Sequence, residues 1–323
     1  MSKLGLWWVR WNGSDYESRM TVGNRKATVE DFRERGFDRI VVLSGEGRGI
    51  KYSGPFYNSG YNDGREFARW VSNHIYGMPL YITIPFSRPE GFPRDQVQIP
   101  FEYSGVNSYY KGWIDGVLSV DNTDLNGFYW SYESCLQTTS HDEAHVTKEF
   151  IQYMSNYIRN HDQELIWIPT IGDRTMDQIK TFCAIPTLAG YFNHVFVQPH
   201  YYQTTKLSDG SDYTFQELAC RVEWMASKGL SIEMEADNSI IGEKSNCAYC
   251  KSIQGTWEGD HFKEKVGCDE NPTSETEEEC INRACDYYRA ITEVNPSAFS
   301  TKAYYFGTDL RVVDRVRSKC PDW

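Results

Sequence analysis

The sequence predicts an α/β fold, a closed (β/α)8 TIM barrel, and three observations predict it. Eight short apolar runs occur in order along 323 residues. Most of them are separated by a segment whose apolar residues recur at helical spacing. Several runs are almost continuously apolar, such as Ile40-Val41-Val42-Leu43, as parallel strands covered on both faces must be. A doubly wound open sheet is the structural alternative, but Trp11-Asn12-Gly13-Ser14 is not the Gly-x-Gly-x-x-Gly turn that often opens one.

The eight runs are Leu4 to Trp11, Arg39 to Leu43, Leu80 to Phe86, Gly127 to Glu133, Leu165 to Ile171, His194 to Tyr202, Leu230 to Asp237, and Lys302 to Phe306. Each is rich in β-branched or aromatic residues. Between them, Thr28 is placed to cap a helix through Phe32 that stops at Gly36. Asp63 to Ile75 and Phe215 to Ser227 carry apolar residues on one face, the second ending before Gly229. Ser140-His141-Asp142-Glu143 and Ser274-Glu275-Thr276-Glu277 have the form of capping boxes opening two more helices, and Asp309 to Lys319 supplies the last. With no repeat and no low-complexity linker, one domain is expected over 1–323. A Cys-rich insertion at 238–300, between strands 7 and 8, ends in a helix.

Composition narrows the function. A formal net charge of −12 disfavours a phosphate backbone as partner, so no nucleic acid is expected. No apolar run is long enough to span a bilayer, so no membrane is expected either. Met1-Ser2 runs straight into Leu4-Gly5-Leu6-Trp7-Trp8-Val9 without a signal-peptide core, as in a cytosolic chain or a mature form given a start codon. Aromatic residues make up 15%, with 22 Tyr and 10 Trp, an excess that suits a wet concave surface taking a small molecule or oligosaccharide. A monomer is expected, with no cofactor.

Nine cysteines bear on the compartment. Five of them, from Cys247 to Cys285, lie in a polar Gly- and Glu-rich stretch that reads as a disulfide-stapled loop of a secreted protein. Cys247-x-x-Cys250 leaves a zinc site open as the alternative, although the stretch has no second close pair and only His261 beside it. An odd count leaves at least one thiol free or bridged to another molecule. Asn12-Gly13-Ser14 is the one glycosylation sequon.

In a barrel of this type the chemistry sits at the C-terminal ends of the strands. Side chains alternate along a strand, so in Ile232-Glu233-Met234-Glu235-Ala236-Asp237 the apolar set must meet the helices and the acids must point inward. Glu233 lies deeper and reads as a buried hydrogen-bonding residue, while Glu235 lies near the rim and reads as catalytic. Across the barrel, Tyr129, Ser131 and Glu133 share one face of strand 4, with Glu133 at its end. Two carboxyl groups flanking a bond, one protonated and one ionised, are what glycoside cleavage needs. Trp7, Trp11, Glu46, Tyr129, Tyr132, Asp173, Gln198, His200, Tyr202, Glu233 and Asp237 complete the candidate substrate-binding set. No Gly-x-Ser-x-Gly elbow and no His-Glu-x-x-His pair occurs, and no metal ligand set is expected.

The strings Gly127-Phe128-Tyr129-Trp130-Ser131-Tyr132-Glu133-Ser134, Ile166-Trp167-Ile168-Pro169, Phe196-Val197-Gln198-Pro199-His200-Tyr201-Tyr202 and Ile232-Glu233-Met234-Glu235-Ala236-Asp237 together resemble the DUF4855 family. That family is a group of mostly bacterial proteins regarded as barrel glycosidases, and the resemblance runs from about strand 1 to strand 7. It implies the barrel and a carbohydrate-related role. The places of Glu133 and Glu235 also resemble the acid/base and nucleophile of retaining barrel glycosidases. Two features depart from those patterns: Tyr132 stands where such glycosidases usually have Asn, and the Cys-rich insertion has no counterpart there. The function expected is a secreted glycoside hydrolase acting with retention. A non-catalytic carbohydrate-binding barrel is one alternative. The other is a cofactor-free oxidoreductase of luciferase type on the same barrel.

Overall fold

The structure is a computed structural model that describes residues 2–86, 109–139, 143, 145–245, 247 and 272–323, with backbone alone at 46, 255–258 and 261–264. Eight strands lie in chain order: β1 (Ser2–Trp11), β2 (Arg39–Leu43), β3 (Leu80–Ile84), β4 (Leu125–Trp130), β5 (Glu164–Trp167), β6 (His194–Val197), β7 (Ser231–Glu235) and β8 (Thr301–Tyr305). Each pairs in parallel with the next, and β8 returns to β1 through Ser2↔Thr301 to Gly5↔Tyr304, so the sheet closes as expected. A short strand, Tyr16–Ser18, folds back antiparallel on the end of β1.

Closure sorts side chains into two populations. Leu4, Leu6, Val41, Tyr129, Ile166 and Phe196 are among those that fill the barrel, with Trp8 and Tyr305 against them near the mouth. Their strand neighbours Val9, Ile40, Val42, Phe128, Trp130 and Trp167 face outward into the helical ring. At the opposite end, where the strands begin, Arg39 donates to the Tyr81 hydroxyl (2.9 Å), which donates to Glu164 (2.5 Å), and Asn126 bonds both. That end is plugged by a paired polar cluster, leaving the other end for chemistry.

The ring consists of α1 (Val29–Glu34), α2 (Tyr57–His74), α3 (Tyr109–Leu118), α4 (Lys148–Arg159), α5 (Met176–Phe182), α6 (Phe215–Ser227), α7 (Ser274–Val294) and α8 (Arg311–Arg317). The α1 cap is the expected Thr28, in a capping box with Asp31. Two other helix starts differ from expectation. The N-cap of α4 is Thr147, whose hydroxyl accepts from the Phe150 N–H, so the helix begins after Glu143, and Ser140, His141 and Asp142 lie outside the described residues. The N-cap of α7 is Thr273, one residue before the expected Ser274, because its hydroxyl meets the Thr276 N–H.

The third difference is α2, which starts at Tyr57 rather than Asp63, in a stretch whose Asn, Ser and Gly read as loop. The glycines there have a packing reason. A Cβ on Gly60 or Gly64 would strike the carbonyls of Tyr109 or Trp113, and one on Gly112 or Gly116 those of Tyr57 or Tyr61. Helices α2 and α3 therefore meet backbone to backbone through two Gly-x-x-x-Gly pairs, with no side-chain layer between them. Tyr57 and Tyr157 hydroxyls and the buried Lys111 ammonium converge on Asp115 beside that seam.

Three disulfides join Cys135 to Cys183, Cys247 to Cys280, and Cys285 to Cys320. Cys247 is thus bonded to Cys280 and does not pair with Cys250 in a zinc site; Cys250 and Cys268 lie outside the described residues. Cys220 is a free, exposed thiol. Among the described residues no helix is long and apolar enough to cross a membrane.

Gly60→Ala and Gly112→Ala should each lower stability by about 1–3 kcal/mol, although alanine is intrinsically the better helix former by roughly 1 kcal/mol. Urea unfolding checks this; a variant as stable as the parent would refute the backbone contact.

Candidate functional site

Site residues arrive from the loops just beyond the strands. The expected strand ends at Phe86, Glu133, Ile171, Tyr202, Asp237 and Phe306 lie past the observed ones, so Glu133, His200, Tyr202 and Asp237 are loop residues on a rigid rim. On β7 the parity is as the pattern requires: Ile232, Met234 and Ala236 join the outer core. Glu233 and Glu235 lie on the other face, both buried.

Glu133 is half-buried and accepts hydrogen bonds from the Tyr129 hydroxyl (2.5 Å) and from Gln198 Nε2 (3.0 Å). Gln198 Nε2 also donates to the Ile168 carbonyl (3.0 Å), and its Oε1 lies 3.3 Å from His200 Nε2. One amide thus ties the ends of β4, β5 and β6 together around Glu133. His200 holds a left-handed backbone, φ 58°, which is costly for a residue with a Cβ. Its N–H is one of the donors to Glu235.

Glu235 is fully buried. Its other partners are the Tyr287 hydroxyl, which donates to Oε2, and Gln203 Nε2, at 3.5 Å from Oε1. Burial pushes its carboxyl up to about 8; the Tyr287 hydroxyl, the His200 N–H and the Arg221 charge act in the opposite direction, while the Glu133 charge adds to the rise. Glu233 is pushed well above the usual carboxylate range, first by burial and then by the charges of Glu235 and Glu133. The three glutamates therefore feel one another across the barrel, and burial favours the protonated form of the two on β7.

The remaining candidates divide. Tyr202 donates to Asp237 (2.9 Å), and Asp237 caps the turn Asn238–Ile241 through the Ser239 N–H, so this pair supports the rim from behind Glu235. Three aromatic expectations are corrected. Trp7 faces the helices, stacked on Phe32 at 4.9 Å, because the residue pointing into the barrel is Trp8. Trp11 packs edge-on against Tyr16 with the Lys51 ammonium over its ring, also outside the barrel. Tyr132 is buried in the outer core, stacked on Phe86 at 3.9 Å, with its hydroxyl on the Glu143 carbonyl. Asp173 follows β5, where its carbonyl accepts from Ser208; among the described residues no hydrogen bond brings its carboxylate to the glutamates. The Glu46 side chain lies outside the described residues.

Tyr287 was not foreseeable from any motif. It stands 52 residues after Glu235, as the separation of their hydrogen bond gives, inside the buried stripe Cys280, Ala284, Tyr287 and Ile291 of α7. Such a stripe reads as core, and only the hydroxyl distinguishes it.

The matching family is described as a domain of unknown function, DUF4855, and its model matches residues 118–267. The DUF4855 resemblance holds over that stretch. It begins just before β4 rather than near strand 1, where the resemblance was expected to start, and continues past Asp237 to residue 267, so the matched region extends into the Cys-rich insertion. An uncharacterized protein of Methanocaldococcus jannaschii is 28% identical over 374 residues, covering 99% of this chain and 94% of its own. Among solved structures, a plant class V chitinase mutant from Cycas revoluta in complex with (GlcNAc)3 is similar at TM-score 0.50 with 9% identity, over 98% of this chain and 99% of that one. A double-mutant beta-glucosidase from Trichoderma harzianum is similar at TM-score 0.51 with 9% identity, over 87% and 77%. At such identity these likenesses establish the barrel.

The protonated glutamates make stability depend on pH. The ordinary glutamate value is 4.5, so between pH 4.5 and about 8 the folded chain retains protons that the unfolded chain releases. Unfolding free energy therefore falls as pH rises across that window, and the loss is complete above it. Glu233→Gln removes one such group and should make the decline from pH 5 to pH 8 shallower in denaturant titrations; an unchanged slope would contradict the buried placement.

Proposed function

We propose that this barrel hydrolyses glycosidic bonds, with Glu133 and Glu235 as its carboxyl pair. The observation that carries the reading is the pairing of unlike environments at the mouth. Glu235 is sealed, and burial favours its protonated form, while Glu133 is half-exposed and accepts hydrogen bonds from Tyr129 and Gln198. Carboxyl groups set apart in this way divide the labour of glycoside cleavage.

The environments also bear on the roles. The resemblance to retaining barrel glycosidases implies Glu133 as acid/base and Glu235 as nucleophile, but burial supports the reverse. Glu235 passes its proton to the glycosidic oxygen as the bond to the anomeric carbon breaks, and the leaving sugar departs as an alcohol. The Glu133 carboxylate attacks that carbon to form a glycosyl ester. Water, giving its proton to the Glu235 carboxylate, then cleaves the ester and restores both groups, with net retention. The long contact from Gln203 is the one a substrate would replace. Gln198 and Tyr129 hold Glu133 in place throughout. Three disulfides support an extracellular setting for the reaction.

Glu133→Gln and Glu235→Gln should each lower kcat by about 10²–10⁴-fold on an oligosaccharide substrate while leaving the circular dichroism spectrum unchanged. Full activity in both variants, or oxygen consumption with no sugar released, would end the hydrolase reading. Because the acid must be protonated, kcat/KM should fall as pH rises through about 8, and Glu235→Gln should abolish that limb.

A further inference from the structure

A cavity of about 390 Å³ opens at the same rim, lined by Trp8, Arg10 and Arg19 from β1 and the loop after it and by Ser44, Gly45 and Arg48 after β2. That volume lies within the range of small-molecule sites, roughly 300–1,000 Å³. Three arginines line it, although the chain as a whole has a net charge of −12.

The arginines differ in what already holds them. Arg10 is ion-paired with Glu17. Arg19 is exposed, with its guanidinium 5.9 Å from the centre of the Trp8 ring. Among the described residues no carboxylate lies within ion-pair reach of Arg19. Its backbone is fixed by the Arg19 N–H bond to the Trp8 carbonyl (2.8 Å), so its place at the cavity is set by the β1 turn. The Trp8 indole N–H is buried and, among the described residues, has no partner. Ser44 Oγ accepts from Gly49 (2.8 Å) and keeps the Gly45 to Gly49 loop folded against Trp8.

The cavity is linked to the strand that carries Glu235 through the Trp8 ring. The Trp8 ring meets Tyr305 edge-on at 6.3 Å, and Tyr305 is the register partner of Glu235 across β7 and β8. A chain of sugars with its scissile bond at Glu235 would thus reach the arginines with a neighbouring unit. A planar guanidinium beside an aromatic wall suits an oxyanion carried on a ring: two parallel N–H bonds take the anion, and the apolar face takes the pyranose.

We propose that this cavity is a subsite for an anionic sugar, a pyranose bearing a carboxylate or a sulfate ester. The proposal rests on the hydrolase reading only for where the cleaved bond lies. Calorimetric titration of Glu235→Gln protein tests it with uronate oligosaccharides, sulfated oligosaccharides and neutral ones of equal length. At low salt, one or both anionic series should bind at least 10-fold more tightly than the neutral series, and 0.5 M NaCl should remove most of the difference. Arg19→Ala combined with Arg48→Ala should erase the preference without changing neutral binding. Equal affinity for all three series, no binding by any of them, or a preference that survives the double substitution would overturn it. Anionic preference without turnover by the parent protein on the same sugars would leave the subsite standing and remove the hydrolase reading.

Discussion

A closed parallel sheet gives each strand residue two places to go, the barrel lumen or the helical ring, and the rest of this molecule follows from that choice. On β7 and just past its end, the apolar residues Ile232, Met234 and Ala236 claim the ring. Glu233 and Glu235 are left inside, where ionisation is costly and water cannot offset it. The same parity sends Trp8 inward and Trp7 outward, and puts Tyr129 under Glu133. Burial side by side favours the neutral form of both acids.

What surrounds them holds the rim in place. Arg221, fully buried on α6, donates to the carbonyls of Gly172, Pro199 and Arg174, so its charge pins the loops after β5 and β6 while facing Glu235. Arg283 of α7 does the same for Tyr201 and Thr204, stacked 3.6 Å over the Tyr201 ring. These guanidiniums spend their hydrogen bonds on backbone, which rigidifies the rim from which His200 and Gln203 reach Glu235. The left-handed His200 persists in that frame because both flanks are held.

Much of this was legible in the sequence, and its limits have physical causes. Strand positions were legible because runs such as Ile40 to Leu43 face apolar matter on both sides, leaving no polar residue to blur them. The inward turn of Glu233 and Glu235 followed from a period of two alone. The start of α2 was hidden, since Gly60 and Gly64 have their reason in a helix some fifty positions later and no local trace of it. Tyr287 was hidden likewise, as tertiary contact alone separates it from core. Adjacent tryptophans could be split into one inner and one outer, but which was which depended on where β1 enters the barrel. Cysteine number indicated staples, while their pairing awaited the fold.

The seam between α2 and α3 constrains the chain in a way opposite to the glutamates. Glu133 and Glu235 are restricted by what their side chains do, whereas Gly60, Gly64, Gly112 and Gly116 are restricted by having none. Any relative that adds a single methyl at one of the four must part the helices by roughly 1 Å, shifting the outer ring over β3 and β4. These positions are constrained even though they touch no chemistry, because the carbonyls opposite them leave no room for a Cβ.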